Sequence, residues 1–231
     1  MKLLANFKAF VYGTSPSLYE RLEKMTQKSN AKKANKAFQE NAVASFRRFN
    51  DAMRESGVTY WLAFGTLIGA VREHGFIKHD LDIDVGVLDS TDFDKLDKVL
   101  AKYGFHKSRR IDIYSKVGYK GYEMTYSDGA TDIDVFVFTR EGPNVYTHIF
   151  QQSTPNLAGR RVYKVVRRVT FPFEDVMDYD FISVNSSIPT NYDGYLRSYY
   201  GNYMVPNPDW KVENCLNSRI LEETIGVTAK L

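Results

Sequence analysis

A chain of 231 residues that is 43% hydrophobic is long enough to bury one large core, and its net charge of +3 is too mild to indicate a nucleic-acid partner. The solitary Cys215 excludes an internal disulfide and a cysteine zinc motif, which fits a reducing, cytoplasmic setting and predicts a chemically silent thiol. None of His74, His79, His106 and His148 forms a metal-binding pair at helical spacing, and no internal repeat is present.

Residues 1–12 interrupt their apolar positions with Asn6 and Lys8, unlike a signal peptide or a membrane span. The pattern suits an amphipathic helix, packed on the protein itself or lying peripherally at the inner face of the cell membrane. Residues 17–56 have helix-forming composition, with the polar run 27–33 reading as a connection. Phe38, Val43, Phe46, Phe49 and Met53 follow at near-helical spacing and should face a core. Residues 59–63 read as the first strand, ending at a Gly65-Thr66 turn. A short helix at 67–73, a strand at 83–88 and a helix at 90–103 with Ser90 as N-cap come next. The alternation around Tyr114–Lys120 predicts a strand or hairpin, and Ser127-Asp128-Gly129 a turn before a strand at 131–138. Residues 160–173 read as a basic strand, either exposed or beside an anionic ligand. Tyr192, Tyr195, Leu196, Tyr199 and Tyr200 form one helical stripe, a packing seam that Gly201 terminates.

The chemistry concentrates at Asp80-Leu81-Asp82-Ile83-Asp84-Val85. In a strand, Leu81, Ile83 and Val85 face a core while Asp80, Asp82 and Asp84 line the opposite face. Adjacent half-buried carboxylates are unfavourable without a compensating cation, and a hard divalent ion, Mg2+ or Mn2+, prefers oxygen ligands beside substrate phosphate. The competing reading is a solvated face on an edge strand. A second strand, Thr131-Asp132-Ile133-Asp134-Val135, repeats the pattern, and if it neighbours the first it brings a third carboxylate to the pair. Upstream, Gly65-Thr66 at a helix start would offer backbone N–H groups to phosphate. Arg72 and Lys78 are candidate phosphate contacts, although Arg72 serves equally well as a brace for its helix.

These residues resemble the LicD family of phosphotransferases, which includes the fukutin and fukutin-related proteins. The resemblance covers Trp61 to Val85, Asp132 to Phe138 and Pro189 to Pro206. Its most specific block joins Gly65-Thr66-Leu67-Ile68-Gly69-Ala70-Val71-Arg72 to Gly75-Phe76-Ile77 and the Asp80–Val85 run. Leu81 interrupts the acidic run that family members often carry there, leaving Asp80 as an outer carboxylate. His79 and Lys78 replace the family's aromatic residue and proline.

The resemblance implies an α+β fold, a nucleotidyltransferase-like mixed β-sheet flanked by helices, with N-terminal and C-terminal helical additions. It divides the chain into a helical segment, 1–55, and a catalytic domain, 56–231. It implies that Asp82 and Asp84 are paired metal ligands and Asp134 the third carboxylate, holding metal and accepting the acceptor's proton. The implied reaction moves a substituted phosphate from a CDP-linked alcohol donor to a cell-surface glycan or lipid-linked glycan, as in capsule or lipopolysaccharide, releasing CMP. The same carboxylates would serve a nucleotidyltransferase that modifies a small molecule from a nucleoside triphosphate. A non-catalytic binding subunit is the alternative of another class.

Overall fold

The computed structural model describes residues 15–155 and 160–229, with the side chains of the first helix described from Asn35 onward. That helix, α1 (Pro16–Ser56), is continuous. It runs through the polar stretch 27–33 expected to be a connection, because no glycine or proline interrupts residues 17–56 and lysine, alanine and glutamine propagate a helix well. Gly57 ends it at φ 69°, with its N–H returned to the Arg54 carbonyl. Phe38, Ala42, Phe46, Phe49 and Met53 are buried, whereas Val43 is 42% exposed. Ala42 takes the core position expected of Val43, being one turn from both Phe38 and Phe46. The residues before Ser15, with the expected interfacial helix, lie outside the described residues.

Strand β1 (Tyr60–Leu62) leads into α2 (Phe64–Ile68), which continues as a π-helical turn to Glu73. The helix begins three residues before its expected start, so Gly65 and Thr66 form its first turn. Strand β2 (Asp82–Leu88) pairs antiparallel with β1 and parallel with β5 (Asp132–Glu141). Between them come α3 (Phe93–Lys102), β3 (His106–Ser115) and β4 (Tyr122–Ser127). The N-cap of α3 is Asp92, whose carboxylate accepts from the Lys95 N–H, in place of the expected Ser90. Strands β6 (Asn144–Pro155) and β7 (Arg161–Pro172) form a long hairpin, and β8 (Val176–Phe181) with β9 (Val184–Pro189) a separate one. Helix α4 (Tyr192–Tyr200), β10 (Ser218–Ile220) and β11 (Thr224–Thr228) complete the chain.

The sheet is mixed, as expected, with β2–β5 parallel and its neighbours antiparallel, but it closes into a barrel in place of the expected helix-flanked sheet. Pairings run β5–β4–β3–β11–β7–β6 and return to β5, closing a barrel onto which β1–β2 is joined through β5. Closure depends on β11, a short strand near the C-terminus that pairs on both sides, and on β6, which takes over pairing with β5 at Thr139–Glu141, just past the end of its pairing with β2. A closed ring leaves its member strands without free edges. The core against it is aromatic: Trp61 packs on Phe138 and Phe173, and Phe171 stacks on Tyr195 at 4.3 Å between centroids. The tyrosine seam of α4 buries Tyr195, Leu196 and Tyr199 there.

Candidate metal centre

The parallel register sets Asp82 beside Asp132 and Asp84 beside Asp134, while Ile83 and Val85 on the other face are fully buried. Asp82, Asp84 and Asp134 each bring a carboxylate oxygen within 4.8 Å of the others, the cluster of possible metal-binding side chains found among the described residues. Leu81, expected in the core, is 44% exposed because it precedes the strand and its pairing.

Helix α2 holds the middle carboxylate. The Gly65 N–H donates to Asp84 Oδ2 at 3.0 Å, and the buried Thr66 hydroxyl accepts from the Asp84 N–H at 2.8 Å. A Cβ on residue 65 would stand 3.3 Å from oxygens of both Asp80 and Asp84, so glycine allows this approach. Phe64 adopts φ 40°, an unusual state for a bulky residue, and its ring is held by Phe136 at 4.4 Å and Tyr199 at 5.3 Å.

Burial and mutual repulsion push these acids up. Burial, then the Asp82 charge, raises Asp80 to about 7; burial, then Asp134, raises Asp82 to about 6. Asp84 rises well above the usual carboxylate range through burial and its three acidic neighbours. Asp80 Oδ2 is buried with no hydrogen-bond partner. An all-oxygen donor set, crowded like charges and an orphaned carboxylate oxygen fit a hard divalent cation.

Sequence reasoning missed Arg109 and Glu123. Arg109 Nη2 donates to both oxygens of Asp134, at 3.0 and 2.9 Å, and to Glu123 Oε1 at 3.1 Å. The Thr125 hydroxyl lies 2.5 Å from Asp134 Oδ1. Glu123 is buried and pushed up to about 8, by burial first and Asp134 second. The signal available was the alternation of Glu123, Thr125 and Ser127 with Met124 and Tyr126 along one strand.

The remaining candidates fall nearby or apart. Arg72 is mostly buried, donating to the Tyr203 carbonyl at 2.7 Å and pairing with Glu73, and it lines a cavity of about 560 Å³ with Tyr200, Tyr203 and Trp210. Its charge acts on Asp80. Lys78 is exposed in the loop before β2. Cys215 is buried, its Sγ 3.7 Å from the Ser198 carbonyl. Among the described residues no helix is long and apolar enough to cross a membrane.

The chain is similar over part of its length to known proteins. An uncharacterized protein of Rickettsia typhi is 26% identical over 109 residues, covering 46% of this chain and 31% of that protein. Mouse ribitol-5-phosphate transferase FKTN is 23% identical over 164 residues, covering 68% of this chain and 32% of that protein. The chain thus spans about a third of the length of the curated relatives it matches. Among solved structures, ANT(2″)-Ia in complex with adenylyl-2″-tobramycin aligns with a TM-score of 0.42 at 12% identity, over 75% of this chain and 83% of that one. The family model for the LicD/FKTN/FKRP nucleotidyltransferase domain matches residues 57–191, from the end of α1 to the start of α4 and through every carboxylate of the cluster. Matched over more than half its length, with the carboxylates of β2 and β5 inside the match, the chain belongs to the LicD/FKTN/FKRP family.

Proposed function

We propose that this protein transfers a substituted phosphate, such as phosphocholine, ribitol phosphate or glycerol phosphate, from a CDP-linked alcohol to a hydroxyl of a glycan or lipid-linked glycan, releasing CMP. The observation that carries this reading is the convergence of Asp82, Asp84 and Asp134 from two paired strands at the start of α2. Family membership and the transferase name of the mouse relative support the same class of reaction. A magnesium or manganese ion held by these carboxylates would neutralise the donor's diphosphate and improve CMP as a leaving group.

The chain's own residues set the geometry. Gly65 and Thr66 lock Asp84 in place, so the ligand does not reorganise when the donor arrives. Lys78 supplies an exposed positive charge for phosphate, and Arg72, beside Asp80, tempers the acidic field. Asp134 acts as a ligand in this scheme and not as the base, because its oxygens already accept from Arg109 and Thr125.

The test is incubation with magnesium, a panel of CDP-alcohols and a glycan acceptor, with both products identified by mass spectrometry. CMP together with a phospho-alcohol adduct is the expected result, and Asp84→Asn should lower its rate by about a hundredfold or more. Pyrophosphate released from a nucleoside triphosphate, with a nucleotidylated acceptor, would assign the chain to nucleotidyl transfer instead.

A further inference from the structure

A cation already sits in the acidic cluster, and it belongs to the protein. The half-buried guanidinium of Arg109 reaches both oxygens of Asp134 through one nitrogen and clips Glu123 with the same nitrogen. A carboxylate offers about four acceptor positions. Arg109 and Thr125 together occupy three on Asp134, leaving its free lone pair on Oδ2. A divalent ion sharing Asp134 with Asp82 and Asp84 would therefore meet a ligand whose charge is partly spent and a guanidinium a few ångströms behind it.

We propose that Arg109 is a positioning residue that competes with the divalent ion for Asp134 and holds the cluster's affinity for that ion low. It touches no reacting atom; it acts through Asp134, and Glu123 anchors it from behind. The consequence is a cluster that tolerates its own like charges when empty and binds its ion loosely until an anionic ligand arrives with it. This rests on the cation site proposed above but not on the identity of the donor.

The experiment is titration of the purified chain with Mn2+ alone, following the free-ion signal by electron paramagnetic resonance. Arg109→Gln should bind Mn2+ at least about tenfold more tightly than the wild type, since it removes the competing charge. Arg109→Lys keeps that charge and should stay within about threefold of the wild type. Asp82→Asn in the Arg109→Gln background should abolish the tight binding, which places it at this cluster. Should Arg109→Gln not fold, Arg109→Gln/Glu123→Gln is compared with Glu123→Gln, and the double variant should bind more tightly. Equal or weaker binding by Arg109→Gln, or by the double variant in that comparison, would overturn the proposal, leaving Arg109 an orienting group alone. Absence of Mn2+ binding in every variant would overturn both this proposal and the cation site. The titration uses no donor, so a failure to release CMP in the transfer assay leaves its outcome unaffected.

Discussion

Asp80, Asp82 and Glu123 each keep a proton to higher pH in the folded chain than a carboxyl does in an unfolded one. Between the ordinary carboxyl range and about pH 8 the folded state therefore binds more protons, and stability falls as pH rises through that window. His148 works the other way: burial, then Arg168, holds it down to about 4, so its contribution grows as pH rises to about 6.5 and is complete above that. The carboxyl effect stands alone from about pH 6.5 to 8. In urea denaturation of metal-free protein the midpoint should decline across that interval, and saturating magnesium should make the decline shallower. A flat or rising midpoint without metal would show that these acids are ionised and compensated in the fold.

At the scale of elements, what was legible is what is local. The alternation of Ile83 and Val85 with Asp82 and Asp84 predicts β2 and its two faces, and the tyrosine stripe predicts α4 as a packed helix. Gly65 and Thr66 were legible as a turn leading into a helix but not as the tethers of Asp84, since that contact crosses from α2 to β2. The contacts of Arg109 with Asp134 and Glu123 were illegible for the same reason: Asp134 is 25 residues from Arg109 and Glu123 is 14, and only the β3–β4–β5 register brings them together. Close approach between elements is also what fixes Gly86. A Cβ there would fall 2.4 Å from Trp61 Cε2, inside a fully buried ring. Gly86→Ala should cost about 1–3 kcal/mol by overpacking, read from denaturant midpoints. An unchanged midpoint would mean that β1 and β2 separate more easily than their pairing implies.

Across the whole molecule, a barrel closed by β6 and β11 carries β2 and its carboxylates on one side, and α1 seals the aromatic core beneath them. Phe46 joins these parts, meeting Phe76 from the loop before β2 and Phe181 from the β8–β9 hairpin edge to face. Phe46→Ala should lower global stability by about 3–5 kcal/mol in a single unfolding transition. A loss below about 1 kcal/mol would make α1 an ornament on an independent barrel. Closure itself was not legible, because a strand as short as β11 carries too few alternating residues to announce that it pairs on both sides.

In the proposed function β2 and β5 together present one cation site. It is tested most directly by a crystal grown with Mn2+ and CDP, using anomalous scattering to locate the ion. A peak is expected about 2.0–2.6 Å from oxygens of Asp82, Asp84 and Asp134 together. Density for CDP with no manganese peak at that cluster, or a peak held by other residues, would contradict it.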